Sequence, residues 1–495
     1  MRIGRRDGAQ RTAADGRQRD QRQHIGQFDP VREPPLQRFG DPQKHGADPI
    51  LAQGRDEPVD LVRASVVALF LFSLAVITYD SLPYFAFSVY RPLAMFPMFA
   101  ASLLLLFTDF KFRRGDVPLL LFAAYSVGHS LLASAGVTGA SFKHAITLLF
   151  GISMYRVSLY IAEQAKNDPA LRKQIAVYLL VGFVPPLAAG LLQLADAYLI
   201  RSGFSGVLTG LFSEKVYKGR IQLLSGEPSW GGIHLLTGGL LLLYLYKEGY
   251  RKITIVPLIG CAVLLVLSFS AYAYSVLLIA LLVYVFIANK YRGRMLLALG
   301  AIGLVIVVGV PFLLETLKVS GYFTDRFQFN FPHLLRADNS FFIRVIFPAI
   351  GFMEFWHHPI FGVGGGFYYR EFAELLRGHF DYGMKFTEVA NLVNEHPEMA
   401  TSRNLWSKLF AEEGLIGALL FLGFMSAALR SSRRHPFAQF AFALCVSLVM
   451  NFDSYSFVNF WLLIGWIRGG FFEGRPDARA AEWDTQNDRE LRRTA

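Results

Sequence analysis

From Leu61 onward the sequence is divided into apolar runs of about the 17–25 residues that a helix needs to cross a bilayer, with short polar breaks between them. Inside a membrane every backbone N–H and C=O must find a partner within the chain, so runs of this length read as helices. About twelve can be marked: roughly 61–79, 92–108, 117–134, 143–162, 175–195, 227–246, 253–269, 273–288, 295–316, 404–429, 436–452 and 457–472. Only Ser270-Ala271-Tyr272 parts the seventh from the eighth, so these two form either a hairpin or one broken span. The expected fold class is an all-α polytopic membrane protein with about 12 transmembrane helices.

The charges in the breaks give an independent reading, because Lys and Arg concentrate in short cytoplasmic loops. Alternate breaks carry three each: Lys111, Arg113 and Arg114; Lys166, Arg172 and Lys173; Lys247, Arg251 and Lys252; Lys290, Arg292 and Arg294; Arg430, Arg433 and Arg434. The short breaks between them hold one or none, with Arg91 the exception. Twelve spans with both termini in the cytoplasm satisfy all five basic loops, and adding or deleting one span midway would break the alternation.

Composition removes other classes. Hydrophobic residues make up 53% of the 495 and charged residues 18%, against roughly 45–50% and about 25% in a soluble domain. The net charge is 49 − 38 = +11, yet residues 1–60 hold 11 basic and 10 acidic side chains. The excess therefore lies in the hydrophobic part, which argues against a nucleic-acid-binding tail. Cys261 and Cys445 both fall in apolar runs, which excludes a disulfide scaffold and a CxxC metal cluster. Residues 1–60, with Phe28 and Phe39 as their only aromatics, are too polar to form a core. They read as a disordered tail without a signal peptide, or as the product of a start codon placed too early, with the functional chain beginning near Val59. The organisation that follows is a tail over 1–60, helices 1–9 over 61–316, a long non-cytoplasmic loop over 317–403, helices 10–12 over 404–472, and a cytoplasmic tail over 473–495.

Three stretches facing away from the cytoplasm carry the candidate chemistry. The first is Lys218-Gly219-Arg220, followed by Glu227-Pro228-Ser229-Trp230-Gly231-Gly232 at the start of the sixth span. Pro suits a first helical turn, and Glu227 would sit at the positive end of the helix dipole, which is a sufficient structural role. It still leaves a carboxylate and Arg220 together at a membrane surface, where ionisable groups are functional candidates. The second lies in the long loop: Arg344 within an apolar stretch, Phe341 to Trp356, that also holds Glu354 and Pro348, and then His357-His358-Pro359-Ile360-Phe361-Gly362-Val363-Gly364-Gly365-Gly366. Consecutive glycines can turn amides toward an anion, or make a plain turn. The paired histidines lack metal-ligand spacing. The third opens the tenth span: Arg403-Asn404, then Glu412-Glu413-Gly414-Leu415-Ile416-Gly417. At about 1.5 Å per residue Glu412 lies roughly 12 Å along the helix from Asn404 and needs a partner, an arginine of the loop being the structural alternative to a direct part in the chemistry. Glu315, Asn451 and Asp453 read as interfacial caps.

In this order and on one side of the membrane, these stretches resemble the superfamily of Wzy-type O-antigen polymerases and O-antigen ligases, over about residues 61–472. Arg220 and Glu227-Pro228-Ser229 resemble the family's Arg-containing loop and the turn that opens the next span. Arg344 and His358-Pro359-Ile360-Phe361-Gly362-Val363-Gly364 resemble its large periplasmic loop. Arg403-Asn404 and Glu412-Glu413-Gly414-Leu415-Ile416-Gly417 resemble its closing segment. Two positions depart: Arg403 stands where ligases usually have His, and Ser270-Ala271-Tyr272 where many members have a Ser-Arg pair. His396 is out of register, so ligase chemistry assigned to that His does not carry over, and the Glu-Pro-Ser turn leans toward the polymerases.

The resemblance implies a GT-C-like fold in a bacterial inner membrane. It also implies inverting, metal-independent transfer from a polyprenyl-pyrophosphate-linked glycan without a cofactor, membrane lipid as surroundings, and copolymerase and flippase partners. Arg220, Arg344 and Arg403 are then the groups for the departing diphosphate, since guanidinium forks bind phosphate oxygens at two points. Glu227 is the candidate base, and Ser229, Asn404, Gly364 and Glu412 are candidate substrate contacts. A ligase moving finished glycan onto lipid A core or protein shares the donor and the arginines. A lipid-linked oligosaccharide flippase or polysaccharide exporter also suits twelve spans, but it would place polar groups near the midplane and often shows repeated halves, whereas here Arg and Glu gather at one face.

Overall fold

The computed structural model describes residues 57–82, 90–107, 113–217, 220–268, 270–288 and 331–474, with isolated positions between 293 and 312. The tail up to residue 56, most of the ninth apolar run, Glu315, Lys218, Gly219, Lys111 and the basic break Lys290 to Arg294 lie outside them, as do residues 475–495. Contacts divide the chain after Arg55, and all described residues belong to the second unit.

Among the described residues the regular structure is helical, apart from one isolated bridge between Ser81 and Arg91. The helices of the membrane part are α1 (Glu57–Ala75), α2 (Met95–Leu105), α3 (Val117–Ala133), α4 (Gly139–Asn167), α5 (Pro169–Ala195), α6 (Phe204–Gly210), α7 (Pro228–Lys247), α8 (Arg251–Leu267) and α9 (Ala271–Ile287). The long loop contributes α10 (Phe331–Ala337), α11 (Asn339–His357), α12 (Tyr369–Phe380) and α13 (Thr387–Asn394). The chain closes with α14 (Leu405–Ser432), α15 (Pro436–Leu448) and α16 (Val458–Gly469).

Eleven of the twelve apolar runs thus fall on a helix. Four described helical segments are long and apolar enough to cross a membrane: Arg114–Ala133, α4, α5 and α14. The count rises to five if α8 and α9, which meet at 113°, are one bent span. Among the described residues the protein is helical, with four to five candidate membrane spans.

Helix ends follow local chemistry. Asp168 accepts the amides of Ala170 and Leu171 while Pro169 opens α5, so a cap and a proline turn the chain straight from α4 into α5. The main core joins α1, α4, α14 and α16 through side chains with almost no exposure, among them Phe70, Tyr155, Phe421, Trp461 and Trp466. The loop helices have a core of their own, in which Phe342, Phe347, Phe372, Leu376 and Val389 are fully buried. Phe347 and Phe372 meet edge to face at 4.8 Å. This small core is seated on α14, where the Ser407 hydroxyl donates to the Pro348 carbonyl at 2.7 Å. The loop is therefore a folded layer that holds Arg344 and the glycine run in place.

Candidate functional site

The first cluster is assembled from five segments. Glu227 is the N-cap of α7 in extended conformation, and its carbonyl accepts the amides of Trp230 and Gly231, both at 3.0 Å. Its carboxylate makes no cap hydrogen bond to the helix amides; it accepts the Ser229 hydroxyl at 3.0 Å instead. Asp338 caps α11 by accepting the Phe341 amide at 2.9 Å, which sets Arg344 on the second turn. The Arg344 guanidinium donates to the Ser340 hydroxyl and carbonyl and lies 5.6 Å from the centre of the Tyr272 ring, at the start of α9. On α13, Glu388 accepts the Asn339 side-chain amide at 2.9 Å and faces Arg403 at 3.6 Å.

Tyr217 shows how close these charges are to one another. Burial raises its phenol above the ordinary range; Glu227 and Glu388 push it the same way, while Arg220 and Arg344 oppose them. Arg220, Arg344 and Arg403 share this region with Glu227 and Glu388, and Asp338 and Asp453 cap backbone amides beside them. Arg220, Glu227 and Arg344 are only half-buried. Such a place suits an anion with a hydroxyl beside it.

The second cluster is closed. Helix α14 breaks at Gly414, whose φ of 61° and ψ of −162° leave the helical region. Residues 359–366 cross the break. Val363 and Gly364 donate to the carbonyls of Ala411 and Glu412, each at 2.9 Å, and Leu415 donates to the Pro359 carbonyl at 2.9 Å. A Cβ on Gly362 would lie 2.4 Å from the Glu412 carbonyl oxygen, and one on Gly414 2.4 Å from that of Ile360, so both positions demand glycine. Beneath this crossing the Ser126 hydroxyl lies 2.7 Å from His144 Nε2 and donates to Glu413 at 2.6 Å. Glu412 receives the amides of Gly366 and Tyr368 and faces the Lys408 ammonium at 3.9 Å. His144, Glu412 and Glu413 each offer one ligand atom within 4.8 Å of the others, the one set among the described residues that could hold a metal ion. Lys408 already brings a positive charge there.

Of the residues singled out from sequence, Arg220, Glu227, Ser229, Arg344 and Arg403 surround the first cluster. Asn404, Gly364 and Glu412, expected to touch substrate, have structural duties. The Asn404 side chain accepts the Ser407 amide at 3.0 Å and donates to the Met450 carbonyl at 2.6 Å. The Gly364 amide is spent on α14, and the partners of Glu412 are a lysine and two backbone amides in place of the loop arginine considered as its alternative. Asp453 accepts the Arg403 amide at 3.0 Å. His357 and His358 both reach Glu371, at 2.7 and 2.6 Å, and so brace α12.

Sequence reasoning missed Tyr217 and Glu388, which nothing local marks. It also missed His144, His234 and Asp80, for which a signal existed: each is an ionisable group within or at the edge of an apolar run.

Residues 256–422 match the family described as Wzy_C, O-antigen ligase. The match takes in Tyr272, Arg344, Glu388, Arg403 and the whole α14 break; Arg220 and Glu227 precede it. No curated protein matches the chain. Members of the family are membrane glycosyltransferases of the ligase and polymerase type that act on lipid-linked glycans. Residues 256–422 thus carry a domain of the Wzy/O-antigen ligase-like type, in a chain whose described residues are helical.

Proposed function

We propose that this protein polymerises polyprenyl-pyrophosphate-linked oligosaccharide repeats into O-antigen or exopolysaccharide at the periplasmic face of the bacterial inner membrane. In this reading twelve GT-C-like helices cross the membrane with both termini in the cytoplasm. The observation that carries the proposal is that Arg220 and Glu227, from the stretch that opens α7, and Arg344, from α11, all act on the Tyr217 phenol. The transfer needs two things from the protein: positive charge where the diphosphate departs and a group to take the acceptor proton.

The acceptor hydroxyl oxygen bonds to the anomeric carbon from the face opposite the pyrophosphate, inverting that centre. The carbon–oxygen bond to the pyrophosphate breaks and its electron pair leaves with the diphosphate. Arg220, Arg344 and Arg403 stabilise that charge, and the Glu227 carboxylate takes the proton. The Ser229 hydrogen bond holds the carboxylate away from the helix amides that would otherwise engage it. Arginine chemistry of this kind asks for no metal or cofactor, and the partners of the family reading are a flippase and a chain-length copolymerase.

The family description itself favours a second reading, transfer of finished glycan to lipid A core or protein. Arg403, in the place where ligases usually carry His, weighs toward polymerisation. Gel analysis of lipid-linked and surface glycans decides, using cells that lack the protein and are complemented with wild type or Arg344→Ala. A single repeat accumulating on the carrier in the deletion and Arg344→Ala strains supports polymerisation. Long polymer accumulating on the carrier overturns it in favour of ligation or export.

A further inference from the structure

We propose that Asp80 and His234 form a buried positioning pair for Glu227. The inference rests on Glu227 being the base, and the tests below separate the two assignments. Asp80 lies just beyond α1 and is fully buried. One carboxylate oxygen accepts the Gly226 amide at 2.9 Å, and the other lies 2.9 Å from His234 Nε2. A single anion thus grips the chain one residue before Glu227 and again two turns into the helix that Glu227 opens.

The far side of the imidazole is also fixed. His234 Nδ1 lies 3.5 Å from the side-chain amide nitrogen of Asn459, itself buried on α16. The approach is tight: a Cβ on Gly226 would lie 2.6 Å from that of Ser81, which leaves glycine as the residue that lets the turn reach Asp80. The Asp80 carbonyl also accepts the Arg91 amide at 2.7 Å, and the Arg91 side chain pairs with Glu214 at 2.8 Å. The turn is therefore tied to the segment after α1 and to α16.

Burying a carboxylate is costly unless its hydrogen bonds are good, and apolar packing would hold a helix start as firmly. A charge here instead gives direction. It fixes the depth and rotation of the first turn of α7, and so the line along which the Glu227 carboxylate meets the acceptor. No substrate atom needs to approach Asp80 or His234, which act through Glu227.

The experiment is a steady-state assay of the full-length protein in vesicles, with lipid-linked repeat unit extracted from cells that lack it. Asp80→Ala is expected to lower kcat about a hundredfold, the cost of a misplaced group near 1 Å, and to leave KM for the donor within about twofold. Asp80→Asn still accepts the Gly226 amide and is expected to lose only about tenfold. His234→Gln keeps a donor toward Asp80 and should recover most of what His234→Leu loses. Added to Glu227→Ala, Asp80→Ala should change nothing further. Wild-type kcat in Asp80→Ala, where Glu227→Gln is inactive, overturns the positioning role alone. Wild-type kcat in Glu227→Gln removes the base assignment and with it this inference. If Asp80→Ala fails to accumulate in the membrane, Asp80→Asn and the His234 pair decide by the same criteria.

Discussion

The two charged clusters of this protein differ in what completes them. Around Tyr217 two guanidiniums face two carboxylates, Arg220, Glu227 and Arg344 are half-buried, and Arg344 donates to Ser340 and lies over the face of a tyrosine. At the break of α14 the carboxylates of Glu412 and Glu413 are almost fully buried among Ser126, His144, Lys408 and the amides of a crossing segment. The first keeps part of its charged surface open to the outside. The second is buried and its charges lie where two pieces of backbone join, with His144 Nδ1, Glu412 Oε2 and Glu413 Oε2 left without a hydrogen-bond partner. Both hold acid and base side chains at close range, so the presence of such groups does not separate a reaction centre from a fastening; their remaining exposure does.

Substitutions should divide along the same line. The largest effect is expected for Arg220→Ala and Arg344→Ala: polymer formation falls by about a hundredfold to a thousandfold, as when one preorganised donor to a developing charge is removed, while membrane abundance stays at wild type by immunoblot. Full-length polymer in both variants would end the contrast between the clusters. Glu412→Ala should do the reverse, costing about 3 kcal/mol or more by leaving Lys408 buried beside the empty place. Its signature is low abundance and a lowered melting temperature in detergent, with near-normal turnover per folded molecule.

Glu354 sharpens the comparison from the acid side. It is fully buried on α11 and neither carboxylate oxygen has a hydrogen-bond partner. Burial above all, then the charges of Glu412 and Glu371, pushes its carboxyl up to about 10. The folded state therefore binds this proton more tightly than the unfolded chain. The stability it contributes is complete below the unfolded carboxyl range and is lost progressively as the pH rises toward about 10. Glu354→Gln cannot ionise, so it should melt higher than wild type at about pH 8.5, with the difference shrinking toward about pH 5. An equal difference at both would show that the proton is not involved. The smallest effect belongs to Glu371→Gln: the two histidines that hold its carboxylate below the usual range are about half exposed, so the loss should stay under about 1 kcal/mol in chemical denaturation.

How far the sequence reaches is visible in particular residues. Apolar length alone marks eleven helices, because a bilayer leaves the backbone few other solutions. Arg220, Glu227, Arg344 and Arg403 are legible as charges on one face of that pattern. Tyr217 and Glu388 are not: Tyr217 is set by its amide donating to the Gln222 side chain and Glu388 by the packing of α13 in the loop core, and what they share is proximity between segments that no local period encodes. The glycine run at 362–366 was expected to receive either an anion or nothing. The amides of Val363 and Gly364 meet main-chain carbonyls of α14 instead, and this follows only once α14 is seen to break. His144, Asp80 and His234 stood in apolar stretches where a polar residue was a signal in itself.

The crossing at Gly414 makes residues 359–366 and 411–416 one object written in two places. A chimera that imports the outer loop of a relative, to change which glycan is accepted, would bring one half of that object and meet the other half of its host. Such exchanges should succeed only when both stretches travel together.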